Sequence, residues 1–299
     1  MHFALYGRSF KPGVDRKIKE LLSRLSCFGS KISCFSGLVP YLSEHSLLNM
    51  INGEIFHSYD DLPSSVDMLF SLGGDGTFLN SLSVIRNSGK PVAGINFGRL
   101  GFLTSTQVGN DENGLSGIDS ILNGKFDLVD KKLLEVSCPE LPEDFYKYAL
   151  NEICIQRQDP YMIGIHVKVD GKSIPDYWAD GLLVATCTGS TAYSLSIGGP
   201  VVVPGSSVFI ISPIAAHNLN VRPVIVPDTS VIEISIISRE HPVFLSADNS
   251  RIVLNTKETI KVTKAPFTLK CVSLGNFNFF DALNEKLLWG ADLRNESHL

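Results

Sequence analysis

The chain has 299 residues, 44% of them hydrophobic and 19% charged, with a formal net charge of -5. That length favours two domains, and the composition is that of an ordinary globular protein with a well-filled core. The acidic balance argues against nucleic acid or an anionic membrane surface as the main partner. A phosphate-bearing ligand must then be held locally, by backbone amides, metal ions or a few basic side chains.

The six cysteines, at 27, 34, 138, 154, 187 and 271, form no CxxC pair and no zinc-ligand spacing. A chain of this size does not need disulfides, so reduced thiols in a cytoplasm are expected. The opening MHFALYGRSFKPGV has no signal-peptide pattern. Val208 to Ala216, the most apolar later stretch, is about half a membrane span and contains proline. The expectation is a soluble cytoplasmic protein with no membrane partner.

The first third alternates as β-α units. Phe3 to Tyr6 reads as a strand, and Asp15 to Leu25 as a helix with Ile18, Leu21, Leu22 and Leu25 at helical spacing. Ser33 to Phe35 is a second short strand, and Met68 to Leu72 a third, followed at once by Gly73-Gly74-Asp75-Gly76. Thr77 to Arg86 then forms a helix with Phe78, Leu79, Leu82 and Ile85 on one face. Pro91 to Asn96 closes the β-α-β unit.

After roughly residue 125 the pattern changes to short strands separated by Pro, Gly, Asn and Asp. Ile163 to Val169 alternates and ends in the hairpin turn Asp170-Gly171. Leu182 to Ala185, Val208 to Ser212, Val224 to Val226, Val231 to Ile237, Val243 to Leu245, Ile252 to Leu254, Thr259 to Val262 and Thr268 to Val272 follow. Asp281 to Trp289 is a last helix, which has little to do on a β domain and is expected to return to the first one.

Five stretches carry chemistry. Glycines around Asp75 at a strand end make a tight turn whose backbone amides face a phosphate. No Gly-Lys-Ser/Thr follows, so this is neither a Walker A loop nor GxGxxG; the single Gly-Lys-Ser, Gly171 to Ser173, has His166 where the first P-loop glycine belongs. A carboxylate here repels phosphate unless a divalent metal, a proton transfer or both belong to the design. One reading is phosphoryl transfer, with Asp75 taking the proton of an attacking hydroxyl. The other is a glycine turn whose aspartate caps the next helix.

Asn96 to Thr104, NFGRLGFLT, follows the next strand and is expected beside that turn. Gly98 and Gly101 permit close backbone approach, and Phe102 is either a flat face for a ring or a buried loop anchor. Asn151-Glu152, at the end of a strand-like run, can hydrogen-bond a sugar diol, or is ordinary surface polarity. Ala179 to Pro200, ADGLLVATCTGSTAYSLSIGGP, packs hydroxyls between glycines, which suits a polyhydroxylated or phosphorylated ligand. Its plainer reading is turn and cap chemistry. Asp180 and Tyr193 can read amide, sugar or ring edges. His217 and Arg222, in Ser212 to Pro227, have no triad or metal-ligand spacing and receive no chemical role.

Taken in order, Gly73 to Gly76, Asn96 to Leu103, Asn151-Glu152, Asp180 to Pro200 and Pro213 to Pro223 resemble the NAD kinases, over most of residues 68 to 227. GGDG alone is shared with lipid kinases and 6-phosphofructokinases; the TGSTAYS run and the Asn-Glu pair are more specific. The resemblance implies a Rossmann-like α/β nucleotide-binding domain over 1–125 and 276–299, and an all-β NAD-binding domain over 126–275. It implies ATP with a divalent metal, usually Mg²⁺, and a homodimer or homotetramer. The reaction implied is transfer of the γ-phosphate to the 2′-hydroxyl of the adenosine ribose of NAD, giving NADP.

On this chain the resemblance makes Asp75 the base, with Gly76 in the same turn. Asn151 and Glu152 would hold the adenosine-side ribose or phosphates, and Asp180 would reach the nicotinamide end, with a neighbouring subunit as one option. Thr191, Ala192, Tyr193 and Ser196 would line the adenine and ribose site, with Phe102 nearby. No side chain is assigned as a metal ligand. Asp248-Asn249-Ser250 stands where many members have Asp-Gly-Gln, and Thr186-Cys187-Thr188 where many have Thr-Pro-Thr. The rivals are another GGDG kinase, for a lipid or sugar, and a non-catalytic NAD or ATP sensor.

Overall fold

The computed structural model describes residues 1–98, 101–104, 106–107, 116–218, 220–237, 242–255, 258–275 and 279–287. The chain divides into two units, Met1–Val129 with Lys270–Leu299, and Asp130–Leu269.

The first unit is built on a parallel sheet in the order Ile55–Phe56, Lys31–Phe35, His2–Tyr6, Met68–Leu72, Val92–Asn96. His2–Tyr6, Met68–Leu72 and Val92–Asn96 are buried at every position, which is why they read as continuous apolar runs rather than alternating ones. In the helix Asp15–Cys27, Ile18, Leu21, Leu22 and Leu25 are wholly buried and share one core with Phe3, Leu5, Ile32 and Phe70. That helix stops at Gly29, whose left-handed φ of 71° lets its N–H reach the Ser26 carbonyl.

Strand order decides where a ligand can sit. The chain lays Lys31–Phe35 and Ile55–Phe56 on one side of the first strand, then crosses over for Met68–Leu72 and Val92–Asn96. The reversal lies between His2–Tyr6 and Met68–Leu72. In open α/β sheets ligands bind at such a switch point, outside the carboxyl ends of the strands. The glycine turn at 73–76 leaves from that place.

The C-terminal helix Phe279–Leu287 belongs to this first unit, where Lys286 donates to the Gly101 carbonyl. Leu288 and Trp289, expected in the same helix, lie outside the described residues.

The second unit holds an antiparallel sheet in the order Val224–Pro227, Val208–Ile214, Gly181–Thr186, Glu152–Arg157, Val243–Ala247, Ser250–Leu254. A second sheet runs Lys172–Ser173, Ile163–Val169, Ile232–Ile236, Ile260–Ser273. Ile153, Ile155, Leu182, Val184, Phe209 and Leu245 of the former share a core with Ile163, Ile165, Val167, Ile234 and Val262 of the latter. This is a sandwich packed through its two inner faces. Asp170 and Gly171 form the tight turn after Val169, with φ of 51° and 75°.

Side chains alternate across a strand, so Glu152, Cys154 and Gln156 share the outer face of the six-stranded sheet. There Cys154, Leu183, Ala185, Ile210 and Ile214 pack with Ile197 and Val202. The segment that follows Thr186 therefore covers this face.

Two expected strands, Thr259 to Val262 and Thr268 to Val272, are one, Ile260–Ser273. The expected break contains Pro266. Proline removes one ladder donor, but its φ is compatible with extended backbone. Pairing on either side carries the strand through: Ile260 and Val262 pair with Ile234 and Ile232, and Cys271 with Val92. The helix expected from Thr77 begins two residues earlier, at Asp75.

Candidate active site

In the first unit the candidate residues lie in and beside the turn after Met68–Leu72. Gly73 has φ 147°, and a Cβ there would lie 2.4 Å from Thr77 Oγ1, so only glycine fits. Gly74 is the N-cap of the helix Asp75–Ile85 and brings no side-chain cap. At Gly76, which is exposed, a Cβ would meet nothing within 4 Å. The turn thus leaves its open side to a ligand that needs close backbone approach.

Asp75 does not cap the helix. Its Oδ2 accepts the Phe102 N–H at 2.8 Å and its Oδ1 the Leu103 N–H at 3.2 Å. The carboxylate lies so close to Gly101 that a Cβ there would fall 1.8 Å from Oδ1. Gly101 is expected from sequence to admit a ligand; what its missing side chain admits is Asp75. The Gly101 N–H donates to Thr104 Oγ1 at 2.9 Å, and its carbonyl accepts Lys286. The Lys286 ammonium also lies 4.4 Å from the Phe102 ring centroid, a cation–π contact. Asp75 and Phe102 are therefore brought together, with Phe102 partly buried and one face occupied by a cation. Asn96 Oδ1 turns the loop by accepting the Gly98 N–H at 2.9 Å; Arg99 and Leu100 lie outside the described residues.

In the second unit the candidate residues gather around Asn151 and Glu152. Glu152 opens the strand Glu152–Arg157 instead of closing one. The Thr186 hydroxyl donates to the Leu150 carbonyl at 2.6 Å and accepts the Gly189 N–H at 3.1 Å, and the Thr186 N–H donates to the Asn151 carbonyl at 2.9 Å. Gly189 approaches so closely that a Cβ would sit 2.2 Å from the Asn151 carbonyl oxygen. From another strand pair, Asp248 takes the N–H groups of Leu150, Asn151 and Glu152 at 2.7, 2.9 and 3.0 Å. The Asn-Glu segment is fixed from two directions before any ligand arrives.

Electrostatics here are unusual. Glu152 Oε2 is buried without a hydrogen-bond partner. Burial and then the Asp248 charge push the Glu152 carboxyl up to about 8. Burial also pushes Asp248 up, to about 6, against the three N–H bonds that act to lower it.

The hydroxyl-rich loop divides by role. Ser190 is structural: its buried hydroxyl donates to the Cys187 carbonyl at 2.7 Å and accepts the Val202 N–H at 3.1 Å. Thr191 and Ala192 are partly buried, and the Ala192 N–H closes the turn on the Gly189 carbonyl. Tyr193 and Ser196 are exposed, and the Tyr193 hydroxyl accepts Gln156 Nε2 at 2.8 Å. Asp180 is bound in the fork of Arg157, at 2.7 Å from Nε and 3.2 Å from Nη2. Cys187 is buried and opens the turn Thr188–Thr191.

Comparison with known proteins decides the family. The profile of the ATP-NAD kinase N-terminal domain matches residues 56–126, and that of the ATP-NAD kinase C-terminal domain matches 150–274. The NAD kinase of Flavobacterium psychrophilum is 36% identical over 299 residues, covering 99% of this chain and 100% of the relative. The chain belongs to the NAD kinase family.

Another NAD kinase, from Cytophaga hutchinsonii, is 38% identical over 296 residues, again covering 99% of this chain and 100% of the relative. Among solved structures, an NAD kinase from Archaeoglobus fulgidus in complex with ATP superposes with a TM-score of 0.70 at 27% identity, covering 96% of this chain and 99% of that one. The yeast NADH kinase complexed with NADH shares the fold, with a TM-score of 0.83 at 24% identity over 99% of this chain and 89% of that one.

Within this NAD kinase fold, some candidate residues escape a reading by motif. Arg8 follows the first strand at the switch point, after Gly7, and interacts with Tyr6. A glycine and a cation directly after an apolar strand were its signal. Asp248 is legible only through the resemblance, as the aspartate that opens Asp248-Asn249-Ser250, and Lys286 carries no local signal at all.

Proposed function

We propose that this chain is an NAD kinase that transfers the γ-phosphate of ATP to the 2′-hydroxyl of the adenosine ribose of NAD, giving NADP and ADP. The observation that carries this is Asp75, a carboxylate fixed by two backbone N–H groups in the glycine turn at the switch point, in a chain of the NAD kinase family.

Each Asp75 oxygen accepts one N–H and retains a lone pair. One of them takes the 2′-hydroxyl proton as the ribose oxygen bonds to the γ-phosphorus and the bond to the ADP oxygen breaks. Positioning and charge stabilisation supply most of the catalysis in such a transfer. Asn151 and Glu152 hold the ribose, Thr191, Ala192, Tyr193 and Ser196 line the rest of the nucleoside site, and Asp180 serves the nicotinamide end. The Gly76 backbone and Arg8 face the donor phosphates.

A divalent cation such as Mg²⁺ would enter on the ATP phosphates and supply charge neutralisation there. Among the described residues there is no group of three His, Cys, Asp or Glu that could hold an ion without the nucleotide. We extend the reading to a cytoplasmic homodimer or homotetramer. All six cysteines are free thiols, and among the described residues no helix is long and apolar enough to cross a membrane.

The deciding assay incubates the protein with ATP, Mg²⁺ and either NAD, diacylglycerol or fructose 6-phosphate. NADP is the expected product, with 2′-deoxy-NAD unphosphorylated and inhibitory. Phosphorylation of the lipid or sugar instead, or binding of NAD without turnover, overturns the proposal in favour of a different kinase or a sensor.

A further inference from the structure

Asp248 occupies the first position of the two-residue turn between Val243–Ala247 and Ser250–Leu254, with φ 47°. Left-handed backbone is uncommon for a residue with a side chain, though aspartate tolerates it better than most. What the turn gains is a carboxylate aimed at the start of the neighbouring strand Glu152–Arg157. Three successive N–H groups, of Leu150, Asn151 and Glu152, converge on it, and its own N–H donates to the Glu152 carbonyl at 3.0 Å. Consecutive amides of this kind form a nest for negative charge.

The two neighbouring acids are thus treated oppositely. Asp248 receives the donors. Glu152 Oε2 is buried and receives none. An ionised carboxylate oxygen in that position would be desolvated, uncompensated and beside a second negative charge, each of which favours the neutral acid.

We infer that Asp248 is a positioning residue of the acceptor site, which fixes the Asn151-Glu152 backbone and keeps Glu152 protonated, so that Glu152 meets the ribose as a hydrogen-bond donor. This rests on the NAD kinase reading and adds a protonation state to it. An ionised Glu152 would accept a ribose hydroxyl proton and compete with Asp75 for it, and would repel the pyrophosphate. A neutral acid donates to the ribose oxygen and leaves the hydroxyl proton for the base.

The other titratable groups around Glu152 agree. The Cys154 thiol, on the same face, is pushed up to about 12, chiefly by burial, and burial raises the Tyr193 phenol. Both are neutral near pH 7. With burial and Asp248 acting on Glu152 in the same direction, the carboxyl pair holds one proton there, on Glu152.

The test reads the carboxyl directly, without substrate. Infrared spectra of the folded protein should show a protonated-carboxyl band at pH 7, assigned to Glu152 by its absence in Glu152→Gln. It should disappear as pH rises through about 8. In Asp248→Asn, which keeps the turn and removes the charge, the band should disappear at lower pH.

Kinetics give the second readout. In wild type KM for NAD should rise with the same pH midpoint while kcat changes less. In Glu152→Gln, whose amide does not titrate, KM for NAD should lose that rise and stay level across the same pH range. In Asp248→Asn the midpoint should move down, and KM should increase about tenfold from the freed backbone.

A Glu152 ionised at pH 7 in wild type, or a midpoint unmoved by Asp248→Asn, overturns the inference. Should Asp248→Asn not fold, the wild-type and Glu152→Gln spectra and profiles decide alone. If wild type makes no NADP, the proposed function fails, and the infrared band still decides the protonation state.

Discussion

Asp75 and Glu152 are both carboxylic acids, and their surroundings could hardly differ more. Asp75 sits in a turn of glycines, with an N–H bonded to each oxygen and an open side toward solvent. Glu152 has one oxygen buried without a donor, beside another acid that has taken the available N–H groups. The same functional group thus stands in the first unit with a donor on each oxygen and in the second with a buried oxygen that has none. Under the proposed reading Asp75 accepts the hydroxyl proton and Glu152 donates to the ribose, two duties for one functional group.

The sharpest way to break this comparison is to remove charge where charge is needed. Asp75→Asn keeps the size and should lower kcat about 10²–10⁴-fold, the range for a general base, with NAD binding much less affected. Single-turnover kinetics with equilibrium binding would show the split. Near-normal turnover would reduce Asp75 to a loop anchor. Gly101→Ala attacks the same acid without touching it. The new methyl would fall on Oδ1 and force the carboxylate off the Phe102 and Leu103 amides. A displacement of this size should cost about 10²-fold in kcat, with little change in KM for NAD.

How much of this was legible beforehand depends on whether a feature is local. The helix Asp15–Cys27 shows in its four apolar positions, and Met68–Leu72 in its unbroken apolar run before glycine. The strand Asp127–Ser137 did not show, because Asp127 to Asp130 are exposed, the apolar Leu128 and Val129 included, and only Leu133, Leu134 and Val136 are buried. The six-residue helix Val39–Glu44, with Pro40 in its first turn, is too short to display a period. In the candidate site Asp75 was announced by its glycines. The amides of Phe102 and Leu103 that hold it could not be, since every residue but proline carries one. Asn151 and Glu152 gained meaning only from resemblance to a family, and their N–H bonds to Asp248 span 97 and 96 positions. No window along the chain contains them.

The second unit can be probed as Gly101 probes the first. Gly189→Ala places a methyl 2.2 Å from the Asn151 carbonyl oxygen, which is backbone and cannot swing away. The Thr186–Gly189 clamp must open, so KM for NAD should rise about tenfold while kcat holds, a loss of about 1.4 kcal/mol. Over-packing of this kind also destabilises by about 1–3 kcal/mol, which a melting curve would register. If the two glycine variants shift the same kinetic constant, the division between a base-holding and a ribose-holding half is lost. Glu152→Ala removes the acid itself and should weaken use of NAD about ten- to a hundredfold.

The smallest effect tests protonation through stability alone. An unfolded glutamate titrates near its ordinary value of about 4.3, whereas Glu152 in the fold is pushed up to about 8. Between those limits the unfolded chain has released the proton and the folded chain retains it. Stability therefore falls as pH rises across that window. Asp248 acts in the same sense over the narrower range up to about 6. His2, in the first unit, acts oppositely: burial and then the Lys31 charge lower its pKa, so raising the pH through its ordinary range favours the fold. Glu54 and Asp61, both lowered to about 2, add stability that is lost only in more acid solution. Comparing Glu152→Gln with wild type removes what the two proteins share, His2 included. The variant should match wild type near pH 4, and its advantage in Tm should grow toward pH 8 by on the order of a few degrees and then level. A difference that stays constant across the series would mean that Glu152 carries its charge in the folded protein as it does in the unfolded one.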